Sequence, residues 1–284
     1  MVVIANCIQS GILDSFIRKA LITRQASTYV STIVTTMDFP TPLIQGTLIN
    51  RHSRFLADVE LSTGELITAH TSNTGAMLGC KDPGSIVWLS LSDNPKRKYA
   101  HTWEIIEINS AGRTVSAGIN TMLSNKLVKE AISNDVIREL EGYDEIRTEV
   151  KYGEEKSRID LLLESFGSAK LKSPCYVEVK NVTLVEKGIA YFPDAVSQRG
   201  SKHLRELISV AKQGARAVIF YCIQRDDATE IRPADHIDSE YGAWLRKAVT
   251  AGVEPLAYQA KVSNKSINLE KRLPVIIPNP LNSL

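Results

Sequence analysis

The chain has 284 residues, 43% of them hydrophobic and 23% charged, and a formal net charge of +2. This composition is typical of a globular protein, and no apolar run approaches the roughly 20 residues of a membrane-spanning helix, so the sequence excludes an integral membrane protein. A protein that grips a polyanion over a long surface is usually more basic, so any nucleic-acid contact is expected in local patches.

The cysteines bear on the compartment in which the protein works. Cys7, Cys80, Cys175 and Cys222 are scattered, without the spacing of a disulfide framework or a metal site. Free thiols of this kind are typical of a reducing compartment, and we expect a cytoplasmic protein.

Residues 1–36 differ in composition from the rest of the chain. They contain one acid, Asp14, and a stretch rich in Ser and Thr, but no secretory cleavage pattern. A targeting segment is one interpretation. We favour a disordered or weakly structured N-terminal extension, or translated upstream sequence, with Met37 as the functional start.

Residues 37–112 alternate apolar and polar side chains over short stretches that are separated by turn-forming residues. Five strands are predicted in this part of the chain: Gly46–Ile49, Phe55–Leu61, Glu65–Ala69, Ser85–Leu91 and Thr102–Ile108. Short strands in this number without a helix indicate a small barrel, and an OB-like β-barrel that binds nucleic acid is the natural candidate.

Helical periodicity begins only in the next part, residues 113–265. The spacing predicts, in this order, a helix at Asn125–Leu140, strands at Ile146–Lys151, Arg158–Leu163 and Tyr176–Thr183, a helix around Leu204–Ala211, a strand at Ala215–Gln224, a helix at Tyr241–Ala251 and a strand at Glu254–Val262. This order indicates an α/β domain, which makes the whole chain α+β. Residues 266–284 are predicted to form an irregular C-terminal tail.

Two of these strands carry a candidate active site. Side chains of a strand alternate between faces, so Glu178 and Lys180 share one face, and pairing the strands as a hairpin brings Asp160 beside Glu178. Two carboxylates and one ammonium on a sheet face are what metal-assisted phosphodiester cleavage requires. A second Glu-x-Lys, Glu149-Val150-Lys151, has Asp144 too close upstream to form a separate strand. From Asp160, Glu178 and Lys180 alone, an exposed polar face in which Asp160 pairs with Arg158 or Lys180 fits the sequence about as well as an active site does.

Helices on either side of this motif carry further candidates. Glu130 is either a third carboxylate of the site or a solvated partner of Lys126, and the second interpretation is slightly favoured. Arg199, Lys202 and His203 stand at i, i+3 and i+4 and predict a basic helix face that binds phosphate. A solvated face balanced by Glu206 is the alternative.

The barrel also contains polar loops. Asn73 and Thr74 lie in a loop rich in hydroxyl and amide groups that either bind phosphate or satisfy their own turn, and the turn is favoured. Lys96, Arg97 and Lys98 form a small basic cluster beside an aromatic residue. The cluster suits nucleic acid but is too short to establish such binding.

Taken together, these motifs resemble the sugar fermentation stimulation protein A (SfsA) family over about Met37 to Val262. The residues that carry the resemblance are Arg54–Val59, His70–Met77, Arg97–Tyr99, Ser157–Asp160, Tyr176–Leu184, Phe192–Ala195 and Arg199–Leu204.

The resemblance implies a bacterial or archaeal cytoplasmic protein that binds DNA with little sequence preference and has a regulatory link to sugar metabolism, notably maltose. It implies an N-terminal OB-like barrel, with Arg54 among the DNA-binding residues, and a PD-(D/E)XK nuclease-like αβββαβ domain. Asp160, Glu178 and Lys180 occupy the motif positions, and Ile159 stands where the motif has Pro.

The sequence therefore predicts a DNA-binding protein with a Mg²⁺-dependent phosphodiesterase site, with Mn²⁺ as a possible substitute. Asp160, Glu178 and the Val179 carbonyl would ligate the metal, and Lys180 would orient water or stabilise charge. The competing hypothesis is a DNA-binding regulator that keeps the scaffold without turnover. RNA is not distinguished from DNA as the partner, a homodimer is possible, and no membrane is involved.

Overall fold

The structure is a computed structural model that describes residues 37–155, 157–166 and 172–278. The extension predicted for residues 1–36 lies outside the described residues, as does the end of the predicted tail from residue 279. Among the described helices, none combines the length and the apolar character needed to cross a bilayer.

The first part of the chain folds into short strands joined by tight turns. Seven strands precede the first α-helix: β1 (Met37–Asp38), β2 (Ile44–His52), β3 (Leu56–Leu61), β4 (Leu66–His70), β5 (Ile86–Leu91), β6 (His101–Ser110) and β7 (Arg113–Gly118). Strands β2 to β7 form one sheet in the order β4-β3-β2-β5-β6-β7, and a parallel pair between His70 and Thr102 joins β4 to β6. Because this pair closes the sheet, β2 to β6 form the predicted five-stranded OB-like barrel.

The inward-facing positions of the barrel strands fill its interior. Leu48, Val59, Val87 and Trp103 are buried in one apolar cluster, and polar residues alternate with them on the outside. The predicted boundary at residue 112 is wrong, because β7 continues the barrel sheet to Gly118. A two-residue turn with positive φ at Ala111 and Gly112 makes this hairpin, and the alanine there gave no turn signal.

The second part of the chain builds the α/β domain. Its elements are α1 (Ser124–Ser133), β8 (Glu145–Tyr152), β9 (Ser157–Glu164), β10 (Cys175–Val182), β11 (Leu184–Glu186), β12 (Ile189–Phe192), α2 (Gln198–Lys212), β13 (Arg216–Ile223), β14 (Glu230–Pro233), α3 (Ser239–Thr250), β15 (Glu254–Val262) and β16 (Ser266–Arg272). A seven-stranded sheet has the order β1-β16-β15-β13-β10-β9-β8, and β11, β12 and β14 form a small separate sheet. The order α1-β8-β9-β10-α2-β13 confirms the predicted αβββαβ arrangement.

Helices cover both faces of the seven-stranded sheet. Leu127 and Val128 of α1 pack on one face in a cluster with Phe220, while Leu207 of α2 packs on the other with Tyr221. Strand β13 is therefore buried on both sides, which explains its continuous apolar sequence.

Two predictions about element ends are wrong. The helix predicted to reach Leu140 ends at Ser133, because the chain turns at Asp135 with a φ of 56°. The predicted irregular tail begins with a strand, β16, which pairs with β15 and β1. Its apolar signal is only Ile267 and Leu269, followed by charged residues, so the pattern was too short to recognise.

Candidate active site

The site forms where strand β9 leaves its pairing with β10. The antiparallel register runs from Cys175 opposite Leu163 to Val177 opposite Leu161. Beyond it, Oδ2 of Asp160 accepts a hydrogen bond from the backbone N–H of Val179 at 2.7 Å. The side chain of Asp160 therefore lies against β10 at the position of Glu178.

A cleft of about 330 Å³ opens at this point between the α/β domain and the barrel. Elements of both parts contribute to its wall: the barrel loop Asn73–Gly75, Thr121, the first turn of α1, strands β9 and β10, and the first turns of α2. Asp160, Glu178, Val179 and Lys180 all line it. The structure thus brings the predicted carboxylates, ammonium and barrel loop into one cleft.

Glu178 has an unusual environment for a carboxylate, because it is only 2% exposed. Its Oε1 accepts a hydrogen bond from Nζ of Lys180 at 2.7 Å and contacts Nδ1 of His203. Its Oε2 is buried and has no hydrogen-bond partner among the residues that the structure describes. Burial acts to raise the pKa of Glu178, but Lys180 and His203 outweigh it and hold the pKa below its ordinary value. The fold therefore keeps this carboxylate ionised with one bare oxygen.

The pKa of Asp160 is shifted in the direction opposite to that of Glu178. Burial, followed by the charge of Glu178, raises its pKa from 3.8 to about 6. Its Oδ1 accepts a hydrogen bond from Nδ2 of Asn125 at 2.9 Å, so helix α1 also contributes to the site. Sequence reasoning missed Asn125, because a single asparagine in a first helical turn carries no distinguishing spacing.

The oxygen atoms of these residues are suitable ligands for a hard divalent cation. Carboxylate and carbonyl oxygens are the ligands that Mg²⁺ and Ca²⁺ take, and an unpartnered buried carboxylate oxygen is costly unless a cation or a donor meets it. Within the described ranges, no group of three or more His, Cys, Asp or Glu side chains is placed to hold a metal. The fitting set is accordingly Asp160, Glu178 and a backbone oxygen, for which the sequence suggested Val179.

The three residues of the basic face predicted on α2 have different environments in the structure. Arg199 is exposed at the cleft, whereas His203 is 5% exposed and its ring is occupied by Glu178 and by Nε of Arg199 at 3.3 Å. Both ring nitrogens of His203 thus contact protein groups, and phosphate binding by this residue, which lines the cleft, stays a prediction. Lys202 lies outside the cleft lining, because its Nζ donates to the carbonyl of Glu155 at 2.6 Å.

Glu130 also lies outside the cleft lining, which corrects its prediction as a catalytic residue. Five positions along a helix correspond to a rotation of about 140° from Asn125, so the two side chains leave α1 in different directions. Burial and the charge of Asp38 on β1 raise the pKa of Glu130, which places it near the far edge of the sheet.

Three barrel loops meet at the end of the barrel beside the cleft. His70, the last residue of β4, pairs with Leu56, which follows the β2–β3 turn. His70 also pairs with Thr102 near the start of β6. The hydroxyl of Thr102 accepts a hydrogen bond at 3.1 Å from Arg97, which lies in the loop before β6. Arg51, which sequence reasoning missed, joins two of these loops, the β2–β3 turn and the loop after β4. Its Nη2 donates to the carbonyls of Arg54, Asn73 and Gly75 at 2.8, 2.9 and 3.1 Å.

The predicted nucleic-acid residues of the barrel differ in their exposure. Arg54, Thr74, Lys96 and Lys98 are exposed. Asn73 is buried, and its Oδ1 accepts a hydrogen bond from the N–H of Gly75 at 2.9 Å, as the turn interpretation predicts.

Comparison with known proteins bears on the identity of this fold. Residues 122–266 match the model of the sugar fermentation stimulation protein RE domain, and residues 49–116 match that of the SfsA N-terminal OB domain. A sugar fermentation stimulation protein homolog of Geobacter metallireducens is 55% identical over 241 residues, which are 85% of this chain and all of that protein. The chain belongs to the SfsA family.

Other SfsA proteins extend the comparison. A sugar fermentation stimulation protein homolog of Shewanella baltica is 53% identical over 82% of this chain and 97% of its own length. The solved structure of Pyrococcus furiosus SfsA in complex with Ca²⁺ superposes with a TM-score of 0.74 at 28% identity, covering 86% of this chain and 100% of that one. The family resemblance of the sequence is thus confirmed.

Proposed function

We propose that this SfsA-family protein binds DNA with little sequence preference and cleaves its phosphodiester backbone with the help of Mg²⁺, or of Mn²⁺ in its place. The observation that carries the proposal is the bare, buried Oε2 of Glu178 beside Asp160 in a cleft that both domains line. Carboxylates in such a cleft repel a nucleic acid unless a cation lies between them and the phosphate. A site built only for binding DNA has no need of them.

The cation would be held by Asp160 and Glu178, together with the Val179 carbonyl. When bound, Mg²⁺ supplies a Lewis acid that polarises a phosphate oxygen and makes a nearby water molecule more acidic. Pyrococcus furiosus SfsA, a relative of the same fold, was solved in complex with Ca²⁺, another oxygen-seeking cation. That complex supports a divalent cation site in this chain.

The remaining residues of the cleft would act on the substrate directly. The side chain of Lys180 is 11% exposed and its Nζ lies 2.7 Å from Oε1 of Glu178, so its positive charge can stabilise the charge that develops on the reacting phosphate. Arg199 is exposed at the cleft, and its Nη groups have no partner among the described residues. They can donate in pairs to phosphate oxygens.

The barrel would hold the nucleic acid by its backbone. Arg54, Lys96 and Lys98 are exposed on loops at the barrel end that adjoins the cleft, and Lys98 lies over the ring of Tyr99 at 5.2 Å. Contacts of this kind position a strand without reading its sequence. RNA would satisfy the same contacts.

The decisive experiment is an incubation of the purified protein with plasmid, single-stranded, branched and RNA substrates in Mg²⁺, Mn²⁺ or EDTA. We expect metal-dependent cleavage that Asp160→Asn and Lys180→Ala each abolish, while Lys212→Ala, a charge removal at the far end of α2, leaves it intact. If no substrate is cleaved and both variants still bind DNA, the protein is a non-catalytic DNA-binding regulator. The link to sugar metabolism rests on the names of the relatives.

A further inference from the structure

We propose that Arg199 and His203 are positioning residues for Glu178: Arg199 fixes the tautomer of His203, and His203 holds Oε1 of Glu178 so that Oε2 alone meets the cation. The proposal deepens the function proposed above and rests on it. It assigns to the buried imidazole a role that the basic spacing of α2 did not suggest.

The hydrogen bonds of the imidazole determine its tautomer. Nε of Arg199 is always a donor, so Nε2 of His203, 3.3 Å away, must accept. Nδ1 contacts Oε1 of Glu178, an ionised carboxylate oxygen that only accepts, so Nδ1 carries the proton. Lys180 also lies 3.1 Å from Nδ1, but with a proton on that nitrogen its ammonium donates to Glu178 instead.

This chain of contacts has one consequence for Glu178. Oε1 receives two donors, His203 and Lys180, whereas Oε2 receives none from residues 37–155, 157–166 and 172–278. Any orientation in which neither oxygen faces His203 and Lys180 would leave a buried and a part-buried donor unpaired, which is costly. A preset carboxylate orientation is what a cation site gains from hydrogen bonds to its ligands.

The position of Arg199 extends this effect to the substrate. Its Nε donates to His203, while no partner is found for its Nη groups in the described part of the chain, and the residue is exposed and lines the cleft. A phosphate bound by these Nη groups would fix the guanidinium, and with it the imidazole and Glu178. The geometry thus predicts that cation and phosphate strengthen each other's binding.

Ca²⁺ alone, titrated by calorimetry, tests the positioning of Glu178. We expect His203→Leu to weaken Ca²⁺ binding by about 10- to 100-fold, the effect typical of removing a partner of a metal ligand. His203→Asn places an amide donor near the position of Nδ1, and it should restore the affinity to within a few-fold. Lys212→Ala is the matched control on the same helix.

The tautomer has its own measurement, which needs no metal. In the cation-free protein, ¹⁵N NMR should show His203 protonated at Nδ1 and bare at Nε2, and Arg199→Leu should weaken this preference, because Nε2 loses its donor while Nδ1 keeps its contact with Glu178. Arg199 is exposed, so this variant will fold even if His203→Leu does not. Arg199→Leu should also weaken Ca²⁺ binding several-fold and remove any gain in Ca²⁺ affinity that a short oligonucleotide gives the unmodified protein.

The outcomes separate the two proposals. If Asp160→Asn abolishes Ca²⁺ binding but His203→Leu and Arg199→Leu bind Ca²⁺ as the unmodified protein does, the positioning role is wrong and the cation site stands. If the unmodified protein binds no divalent cation, the proposed function fails and the positioning role with it. A proton found on Nε2 of His203 overturns the Arg199 contact in either case.

Discussion

Oδ2 of Asp194, in the loop after β12, accepts a hydrogen bond from the backbone N–H of Met77 in the barrel at 2.8 Å. The same carboxylate lies against Gly75, where a Cβ atom would approach its two oxygens to 2.7 and 2.8 Å. The barrel loop that lines the cleft is therefore seated on an acidic residue of the α/β domain, and Gly75 is required for this close approach.

Gly75→Ala is expected to destabilise the protein by about 1–3 kcal/mol, because the added methyl group overpacks this contact. The loop must then shift, so DNA binding should weaken as well. Denaturant unfolding of Gly75→Ala, Asp194→Ala and the double variant provides the check. Because Asp194→Ala removes the atoms that the methyl group meets, the double variant should be less destabilised than the sum of the two. Strict additivity would show that this contact is not the cause.

Asn125 and Glu130 offer a comparison on one helix. Asn125→Ala removes the donor to Oδ1 of Asp160, and we expect divalent cation affinity to fall about tenfold or more. Glu130→Gln, which lies outside the cleft lining, should leave cation affinity and cleavage unchanged. Calorimetry with Ca²⁺ and a cleavage assay measure the two effects. An equal loss in both variants would restore Glu130 as a site residue.

Asp160→Asn should abolish cleavage and yet raise the melting temperature in EDTA. Burial and Glu178 oppose the charge of Asp160, as its raised pKa of about 6 indicates, so a neutral amide removes an unfavourable interaction at neutral pH. The amide can keep both hydrogen bonds if Asn125 reverses its own amide. We expect about 1–2 kcal/mol of stabilisation, or a few degrees for a chain of this size. A lower melting temperature would mean that Asp160 is structural.

Asp227 provides a prediction of pH dependence away from the cleft. It pairs with Arg225, whose side chain is 3% exposed, and accepts a hydrogen bond from Ser110 of the barrel at 2.6 Å. Burial acts to raise the pKa of Asp227, but these partners outweigh it and lower the pKa. A lowered carboxyl pKa stabilises the fold above the unfolded value near 4, and this stabilisation is lost as the pH falls toward the folded value.

Asp227→Asn should therefore cost about 3–5 kcal/mol at pH 7, because it leaves a buried guanidinium unpaired. The difference from the unmodified protein should shrink as the pH falls below about 4. Asp226→Asn is the matched control, since its pair with Arg113 is about half exposed and should be worth at most about 1 kcal/mol. Thermal unfolding of all three proteins between pH 3 and 7 gives the answer. If the stability difference between Asp227→Asn and the unmodified protein does not change with pH, the lowered pKa of Asp227 is not its cause.

The exposed basic residues of the barrel loops should control the salt dependence of DNA binding. Arg54→Ala and Lys98→Ala are each expected to weaken binding to any sequence and to reduce the slope of log affinity against log salt by about 1. Lys271→Ala, an exposed lysine on β16, should change neither. Unchanged slopes in the barrel variants would place the DNA elsewhere.

The parts of this structure that the sequence revealed are those specified by local pattern. Strands β9 and β10 alternate clearly, and the separation of 18 positions from Asp160 to Glu178 allows a hairpin, so the meeting of these two carboxylates was predictable. The barrel strands were predictable for the same reason, because turn residues separate regular alternations.

Other features depend on tertiary contacts and were missed or misjudged. The spacing of basic residues on α2 predicted the same phosphate-binding role for His203 and Arg199. Only the packing of the helix against β10 decides which of the two is buried. Arg51 resembles any strand arginine until the three loop carbonyls that it binds are in place. Strand β16 owes its conformation to its partners more than to its own sequence.

The pairing of β1 with β16 changes how the barrel should be regarded. The chain first joins the edge of the large sheet, then builds the barrel, and then returns through Thr121 to the α/β domain. The barrel is thus an insertion anchored by two covalent connections and not an appendage that swings on one hinge. Removing it as an N-terminal module would strip a strand from the sheet, so the two parts are best expressed and studied as one unit.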